Sequence, residues 1–512
     1  MFMDLQLPGS EIGMDSNGEM SMSKFSEEIK KAIEESEQTL LSLADASGLS
    51  VDHISKMRRG VRLPQDTEKV QKLVTALQRS EEESRKLMTM YRIERMGDEE
   101  WSCMKGIQQL LEYGNMIGQQ SKEMKAHVAE AGTHTLPANV KALHNRGDVF
   151  TFLQRALPQT SGMLYMLTEE MSETVVDLLA AHLKRDDFSC VHLFSLKTLR
   201  EKSGCLYNIR YVNRIMPLIC CGRNYQPVYD YEEKGNAFLP NWLISDRWAV
   251  GLQKDMEGGI VEWEPENINW LRRQFENRRK NKRQLLLYFS DVMQWGTWIA
   301  ENRERYRAET VNGCVRPQDV KNYYLEYEPC TMMGLTDEML QAHVLLPEPA
   351  KTEIITLFKM RREQDRSMDA MLFFTRKGIE RFAKTGRISQ FPDQVYTRLT
   401  IQERIQLLTF FKEWMQEPSA GIYMLDDRQI NASYRTFLFS TVSLVHNEFT
   451  LLLGREGAEY ISICEQGISE KLGAFCRMLE SGEMVCPLEE SVKAIEAVIA
   501  DLEREKEKAS FA

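Results

Sequence analysis

The chain has 512 residues, of which 43% are hydrophobic and 28% charged, and a formal net charge of −11. That length is too great for one small domain and suits about three. The acidic balance excludes a protein that coats polyanions along its whole surface, so any basic site must act locally against an acidic body.

Residues 1–23 carry acidic residues, Gly and Pro where a signal peptide needs a basic start and an apolar core, and they are expected to be a disordered tail. No apolar run approaches membrane-spanning length, so the chain is expected to be cytoplasmic with no membrane partner. The ten cysteines show no C-x-x-C spacing; buried reduced thiols are expected, and no zinc site. The stretch TLLSLADASGLSVDHISKMRRGVRLP, from Thr39 to Pro64, is the most informative in the chain.

It predicts two short helices joined by a glycine turn. Leu40, Leu43 and Ala44, then Leu49, Ile54 and Met57, supply the apolar faces that two crossed helices bury against each other. Thr39 and Ser50 are placed as N-caps. Gly48 suits a helix end followed by a reversal, and with Ala44 it is expected at a close approach of two backbones. The second helix, Val51 to Arg58, would present Val51, Asp52, Ser55, Lys56 and Arg59 outward. Lys56, Arg58, Arg59 and Arg62 then form a basic cluster with no acidic residue among them, able to complement a helix C-terminus or reach DNA phosphates.

These residues resemble the Xre-type helix-turn-helix domain of phage-repressor-like regulators. Leu43–Ala44, Gly48, Ile54–Ser55, Gly60, Arg62 and Pro64 match its pattern in order and spacing, over about residues 24–79. The chain departs from the family at Leu40, where Gln is usual, and at Arg58, where Glu is usual. The resemblance implies a five-helix all-α domain, with Phe25 to Ser36 as the first helix, Asp66 to Gln71 as a short fourth helix and Lys72 to Arg79 near the fifth. It also implies that Val51, Asp52 and Lys56 face base edges of double-stranded DNA, while Ser55, Arg59 and Arg62 address the backbone. Together these give the expected DNA-binding set of Thr39, Ser50, Val51, Asp52, Ser55, Lys56, Arg58, Arg59 and Arg62.

Residues 80–185 are expected to form a helical arm and linker, with apolar positions at Leu87, Met88, Tyr91, Ile93, Trp101, Ile107, Leu110 and Leu111 and a break at Gly97–Asp98. The arm suits pairing with a twin in a homodimer or packing on its own body. THTLPANV, 133–140, reads as a linker and Val149 to Lys184 as helices. The texture then becomes strand-like: VHLFSL (191–196), YNIRYV (207–212), MPLICC (216–221), YQPVYDY (225–231), NWLISD (241–246), WAVGLQ (248–253) and GGIVEW (258–263) predict an antiparallel sheet in an α+β module at 186–310. A charged helix is expected from Glu264 to Glu304, and its basic run, WLRRQFENRRKNKRQ, suits a solvated face more readily than nucleic acid.

A second α+β module is expected over 311–512. NYYLEYEP, AMLFFT, AGIYMLD, RTFLFSTVSLV and EYISIC read as strands; GIERFAKTG, TIQERIQLLTFFKEWMQ, ISEKLGAFCRMLES and LEESVKAIEAVIADLEREKEK read as helices. The fold class is thus a multidomain α+β chain: an N-terminal all-α domain, a helical arm, then a mixed regulatory body whose two halves have a similar texture.

No catalytic motif is present: no phosphate loop, no G-x-G-x-x-G after a strand, no G-x-S-x-G, and no metal-binding spacing among the eight histidines. Cys330, the pair Asp426–Asp427, and the aromatic residues Trp242, Trp248, Tyr323 and Tyr324 each fit structural roles better than a thiol sensor, a catalytic dyad or a ligand pocket. The expectation is a non-enzymatic, cofactor-free bacterial transcriptional regulator whose body binds a small-molecule or protein effector. The alternative is a helix-turn-helix used as a protein-docking module in an adaptor.

Overall fold

The computed structural model describes residues 23–113, 140–289, 294, 298 and 320–511, apart from 170, 202, 232–239, 255, 368–370, 389–394, 418–419, 431–435, 444–446, 455–459 and 464. The chain divides into two compact units, Met1–Lys105 and Gly106–Ala512. The expected tail at 1–22 and the linker at 133–139 lie outside the described residues.

The first unit is all-helical: α1 (Lys24–Glu34), α2 (Leu40–Ser47), α3 (Val51–Arg58), α4 (Thr67–Ala76) and α5 (Glu81–Met96), with α6 (Asp98–Glu112) following. Phe25, Ile29 and Ile33 of α1 share one buried core with Leu43, Leu49, Ile54, Met57, Val70, Leu73, Val74, Leu87, Met88 and Tyr91. Two expectations change here. The segment 66–79, read as two helices, is one helix capped by Asp66, because Val70, Leu73 and Val74 lie on one continuous buried face. The fifth helix is α5, started by a reciprocal Ser80–Glu83 capping box. Its Tyr91 packs on Phe25, ring centroids 5.6 Å apart, and donates from its hydroxyl to the Pro64 carbonyl at 2.7 Å. The domain core therefore runs past residue 79 and takes in Leu87, Met88 and Tyr91 of the arm expected there.

The second unit holds two mixed sheets. The first contains β1 (Ala142–Leu143), β2 (Gly162–Thr168), β3 (Phe188–Ser195), β4 (Tyr225–Asp230), β5 (Asn241–Ile244), β6 (Ala249–Leu252), β7 (Gly259–Glu262) and β8 (Arg283–Gln284), in the order β1-β7-β6-β5-β2-β3-β4-β8. The second contains β9 (Leu286–Phe289), β10 (Val320–Glu326), β11 (Met371–Thr375), β12 (Ile422–Leu425), β13 (Thr436–Ser443), β14 (Asn447–Gly454) and β15 (Tyr460–Ile463), in the order β12-β11-β10-β13-β14-β15-β9.

Both sheets follow one plan. Three parallel strands, β2-β3-β4 or β10-β11-β12, lie beside an antiparallel meander, β5-β6-β7 or β13-β14-β15. The preceding strand in the chain, β1 or β9, closes the meander's far edge. The similar texture of the two halves is thus a repeated topology with no sequence period. The first sheet is mixed rather than antiparallel as expected, because helices cross over between its parallel strands. The module boundaries also move: β2 lies before residue 186, and β9, from the segment assigned to the first module, belongs to the second sheet.

The crossover and flanking helices in the first half are α7 (Arg146–Ala156), α8 (Glu173–His182), α9 (Gly204–Ile219) and α10 (Pro265–Arg279). In the second half they are α11 (Asp337–His343), α12 (Ala350–Ser367), α13 (Arg376–Thr385), α14 (Ile401–Met415), α15 (Gln466–Glu480) and α16 (Leu488–Phe511). Two segments expected as strands, 207–212 and 216–221, lie almost wholly in α9. Most of that helix is buried, Asn208 and Asn213 included, and only Arg210 and Arg214 are exposed, so its polar face is a narrow strip that its β-branched and aromatic residues outnumber. The charged helix expected to reach Glu304 ends at Arg279, where the chain reverses through Asn281 at φ +66° into β8. Among the described residues no helix is long and apolar enough to cross a membrane.

Candidate nucleic-acid interface

The site is built by two helix ends. Thr39 caps α2 by accepting from the Ser42 N–H at 3.1 Å, and Ser50 caps α3 by accepting from the His53 N–H at 3.2 Å. Gly48 ends α2 at φ +70°, its N–H donating to the Ala44 carbonyl at 2.9 Å, a left-handed stop that glycine adopts without steric cost. A Cβ there would meet nothing nearer than 3.9 Å. Backbone conformation, rather than the expected close approach, is what requires glycine at 48.

The end of α3 is a double-bonded reversal. The Gly60 N–H donates to Met57 and the Val61 N–H to Lys56, at 3.1 and 2.9 Å, with Gly60 at φ +69°. This is the Schellman arrangement, and it lifts Arg62 off the helix axis. Ile54 and Met57 are fully buried against the core, which fixes the rotation of α3 and leaves Val51, Asp52 and Arg59 exposed with Ser55 and Lys56 half-exposed.

The basic residues do not all face the same way. The Lys56 ammonium lies 2.7 Å from the Asp52 carboxylate one turn earlier, and its hydrogen bond holds the Asp52 carboxyl below its usual pKa. Arg59 donates from Nε to the Ser55 carbonyl at 3.2 Å, so its stem folds along its own helix. Arg62 is exposed. Arg58 turns inward to Glu34 of α1 at 3.2 Å, its side chain 27% exposed. Glu34 of α1 supplies the acid that balances the Arg58 guanidinium. That occupation ties Arg58 to the domain, whereas it was expected in the basic cluster of the DNA-binding set. Asp52–Lys56 was visible in the sequence as an acid–base pair at helical i,i+4 spacing; Arg58–Glu34 joins residues 24 positions apart and left no local signal.

In the body, the other candidates take structural places. Cys330, Trp248, Tyr323 and Tyr324 are buried, and the Trp248 indole donates to Thr160 Oγ1 at 3.1 Å. Asp426 is buried and held by Arg428 at 2.7 Å and Gln429 at 2.7 Å. Among the described residues no group of three or more His, Cys, Asp or Glu side chains is arranged to hold a metal ion.

No protein family matches the sequence, and no curated protein matches it. Solved structures give faint likenesses. TrmBL2, an archaeal chromatin protein described with a novel mode of DNA binding, aligns at 10% identity and TM-score 0.20, over 51% of this chain and 93% of its own. A polyphosphate kinase from Porphyromonas gingivalis aligns at 9% identity and TM-score 0.22, over 72% and 55%. A phosphatidylserine synthase from Haemophilus influenzae Rd KW20 aligns at 9% identity and TM-score 0.21, over 76% and 99%.

Proposed function

We propose that the chain is a sequence-specific, non-enzymatic transcriptional regulator. Its N-terminal domain binds double-stranded DNA through α3, and its two-sheet body binds an effector or partner. The observation that carries this is the split of α3 into a fully buried edge, Ile54 and Met57, and an outward strip of Val51, Asp52, Ser55, Lys56 and Arg59 continued by Arg62. A rigidly seated helix with a mixed apolar, acidic and basic outer face suits the major groove, where base edges offer methyl groups, donors and acceptors side by side.

The Asp52–Lys56 pair gives this reading a definite form. Lys56 reaches a guanine edge only by exchanging its bond to Asp52 for one to the base, and Asp52 is then free to accept from cytosine N4. Val51, 37% exposed at the start of α3, suits a thymine methyl. Arg59 and Arg62 would hold phosphates and set register. A homodimer would read two half-sites about 34 Å apart.

The test is selection of bound duplexes from a random pool, comparing the intact chain with a Lys56→Ala, Arg62→Ala double variant. A two-fold symmetric motif enriched by the intact chain alone supports the proposal. Enrichment of no motif by either folded protein, in the presence and absence of cell extract, would sink it. Leu41 and Val61, 66% and 46% exposed, favour a protein-docking use of the same domain as the second reading. That use predicts binding carried by these apolar residues with little salt dependence.

A further inference from the structure

We propose that the outward face of α10 in the body is a second binding surface, for single-stranded nucleic acid. It stands independently of the duplex-reading role given to α3. The helix packs inward through Ile268, Leu271 and Phe275, which join the core beneath the first sheet. At 100° per residue, Glu266, Trp270, Arg273 and Asn277 fall on the opposite side. Trp270 is 59% exposed, among the most exposed large apolar side chains described in the protein.

The basic residues of this run sort into two groups. Arg279 pairs with Glu276 at 3.6 Å, Lys282 pairs with Asp230, and Arg272 lies over the Tyr165 ring at 5.2 Å. These cations serve the fold. Arg273 is exposed with no ion-pair partner among the described residues, and Lys280 bonds only the neutral amide of Asn277 at 3.2 Å. Helix-end electrostatics account for cations in the last turn, but not for an uncompensated Arg273 beside an exposed indole in mid-helix.

What remains is a strip of one aromatic face, two uncompensated cations and the amides of Gln274 and Asn277, reaching from Trp270 to Lys280 over about 15 Å at 1.5 Å per residue. Single strands are bound by this combination: bases stack on the aromatic face while cations track the backbone, and every base has a face to stack. An acidic peptide would satisfy the charges and leave the indole unused. The exposed acids Glu264 and Glu266 bound the strip at its N-terminal end and direct a polyanion toward Arg273 and Lys280.

The experiment measures binding of labelled oligodeoxythymidylate and oligouridylate to the full chain by fluorescence anisotropy across a salt series. Trp270→Ala is expected to weaken binding about tenfold or more, and Trp270→Phe to retain most of it. Arg273→Ala is expected to flatten the salt slope by about 0.7. Lys56→Ala, Arg62→Ala is expected to leave oligomer binding unchanged, so failure of the duplex-reading proposal would not register here. Whichever oligomer binds more tightly identifies the source as DNA or RNA. No binding by the intact chain, equal binding by Trp270→Ala, or displacement of the oligomer by polyglutamate at matched charge would each overturn the proposal. Trp270 and Arg273 lie on the surface, and circular dichroism confirms that the variants are folded before binding is compared.

Discussion

The N-terminal domain and the body solve the burial problem in opposite ways. The core of α1 to α5 is almost wholly apolar; Ser26 and Ser47 are its only buried polar side chains among the described residues, and its one histidine, His53, is half-exposed. The body buries polar networks. His192, fully buried on β3, lies 2.6 Å from Thr168 Oγ1 and 2.6 Å from the Tyr225 hydroxyl. Glu465, also buried, accepts from the Ile468 N–H at 2.8 Å, from Asn208 Nδ2 at 3.3 Å and from the Tyr231 hydroxyl, joining the two halves of the repeat. His343 contacts Glu403 at 2.9 Å and Thr397 Oγ1 at 2.8 Å. A domain whose core is mostly apolar answers chiefly to lost volume, whereas a body with buried histidines and carboxylates also answers to pH.

The largest effect that sharpens this contrast is a cavity. Ile54 has no exposed surface and joins α3 to the core. Ile54→Ala should cost the N-terminal domain about 2–5 kcal/mol. Hydrogen exchange on the full chain should show the loss throughout 24–96 while the strands of the body keep their protection. Uniform loss across both units would mean that they unfold as one and would break the comparison.

Acid should do the reverse. Burial holds His192 down to about 3 and His182 down to about 4, below the 6.5 of an unfolded chain. Between pH 6.5 and those values the unfolded state takes up protons that the folded body refuses, so stability falls as pH falls. The slope is about 1.4 kcal/mol per pH unit for each ring. From pH 6.5 to 5 each histidine should therefore remove about 2 kcal/mol from the body. Urea unfolding followed by exchange at several pH values checks this; a pH-independent body over that window would contradict it.

The same contrast explains what was legible in the sequence. In the N-terminal domain each helix shows one apolar stripe and one cap, so α2 and α3 are found at their expected ends, Leu40–Ser47 and Val51–Arg58. In the body, β2 is a Leu/Met run, GMLYMLT, whose one β-branched residue is the terminal Thr168, and it was absorbed into a helix. Helix α9 was read the other way because its exposed face is only Arg210 and Arg214 amid buried β-branched and aromatic residues. Most strands of the meanders and parallel cores were visible as short apolar runs, but their order was not, since pairing joins residues far apart. At the candidate interface, the outward identity of Val51, Asp52 and Lys56 could be read from spacing, and the inward turn of Arg58 could not.

A smaller effect isolates backbone strain from packing. Gly48→Ala places an L-residue at φ +70° with its Cβ in no more than ordinary contact, 3.9 Å from Lys69 Cε. The expected cost is about 1–2 kcal/mol from conformation alone. Thermal unfolding should register it in the N-terminal transition only. Gly48→Asn, which tolerates the left-handed region better, should recover part of the loss; equal destabilisation by both would point to a contact instead.

The smallest effect asks whether Arg58 belongs to the domain or to its ligand. The Arg58–Glu34 pair is partly exposed, and pairs of this kind contribute about 0–1 kcal/mol. In a double-mutant cycle, Arg58→Ala and Glu34→Ala should therefore each cost little, and together less than their sum. Duplex binding is the more discriminating readout. If Arg58 serves the fold, removing it leaves the salt dependence of binding unchanged, whereas Arg62→Ala lowers that slope by about 1. If Arg58 instead leaves Glu34 for a phosphate in the complex, Arg58→Ala lowers the slope as Arg62→Ala does, and Glu34→Ala strengthens binding by releasing the guanidinium. Arg58 would then be a contact held in reserve by Glu34 of α1, released to the phosphate only in the complex.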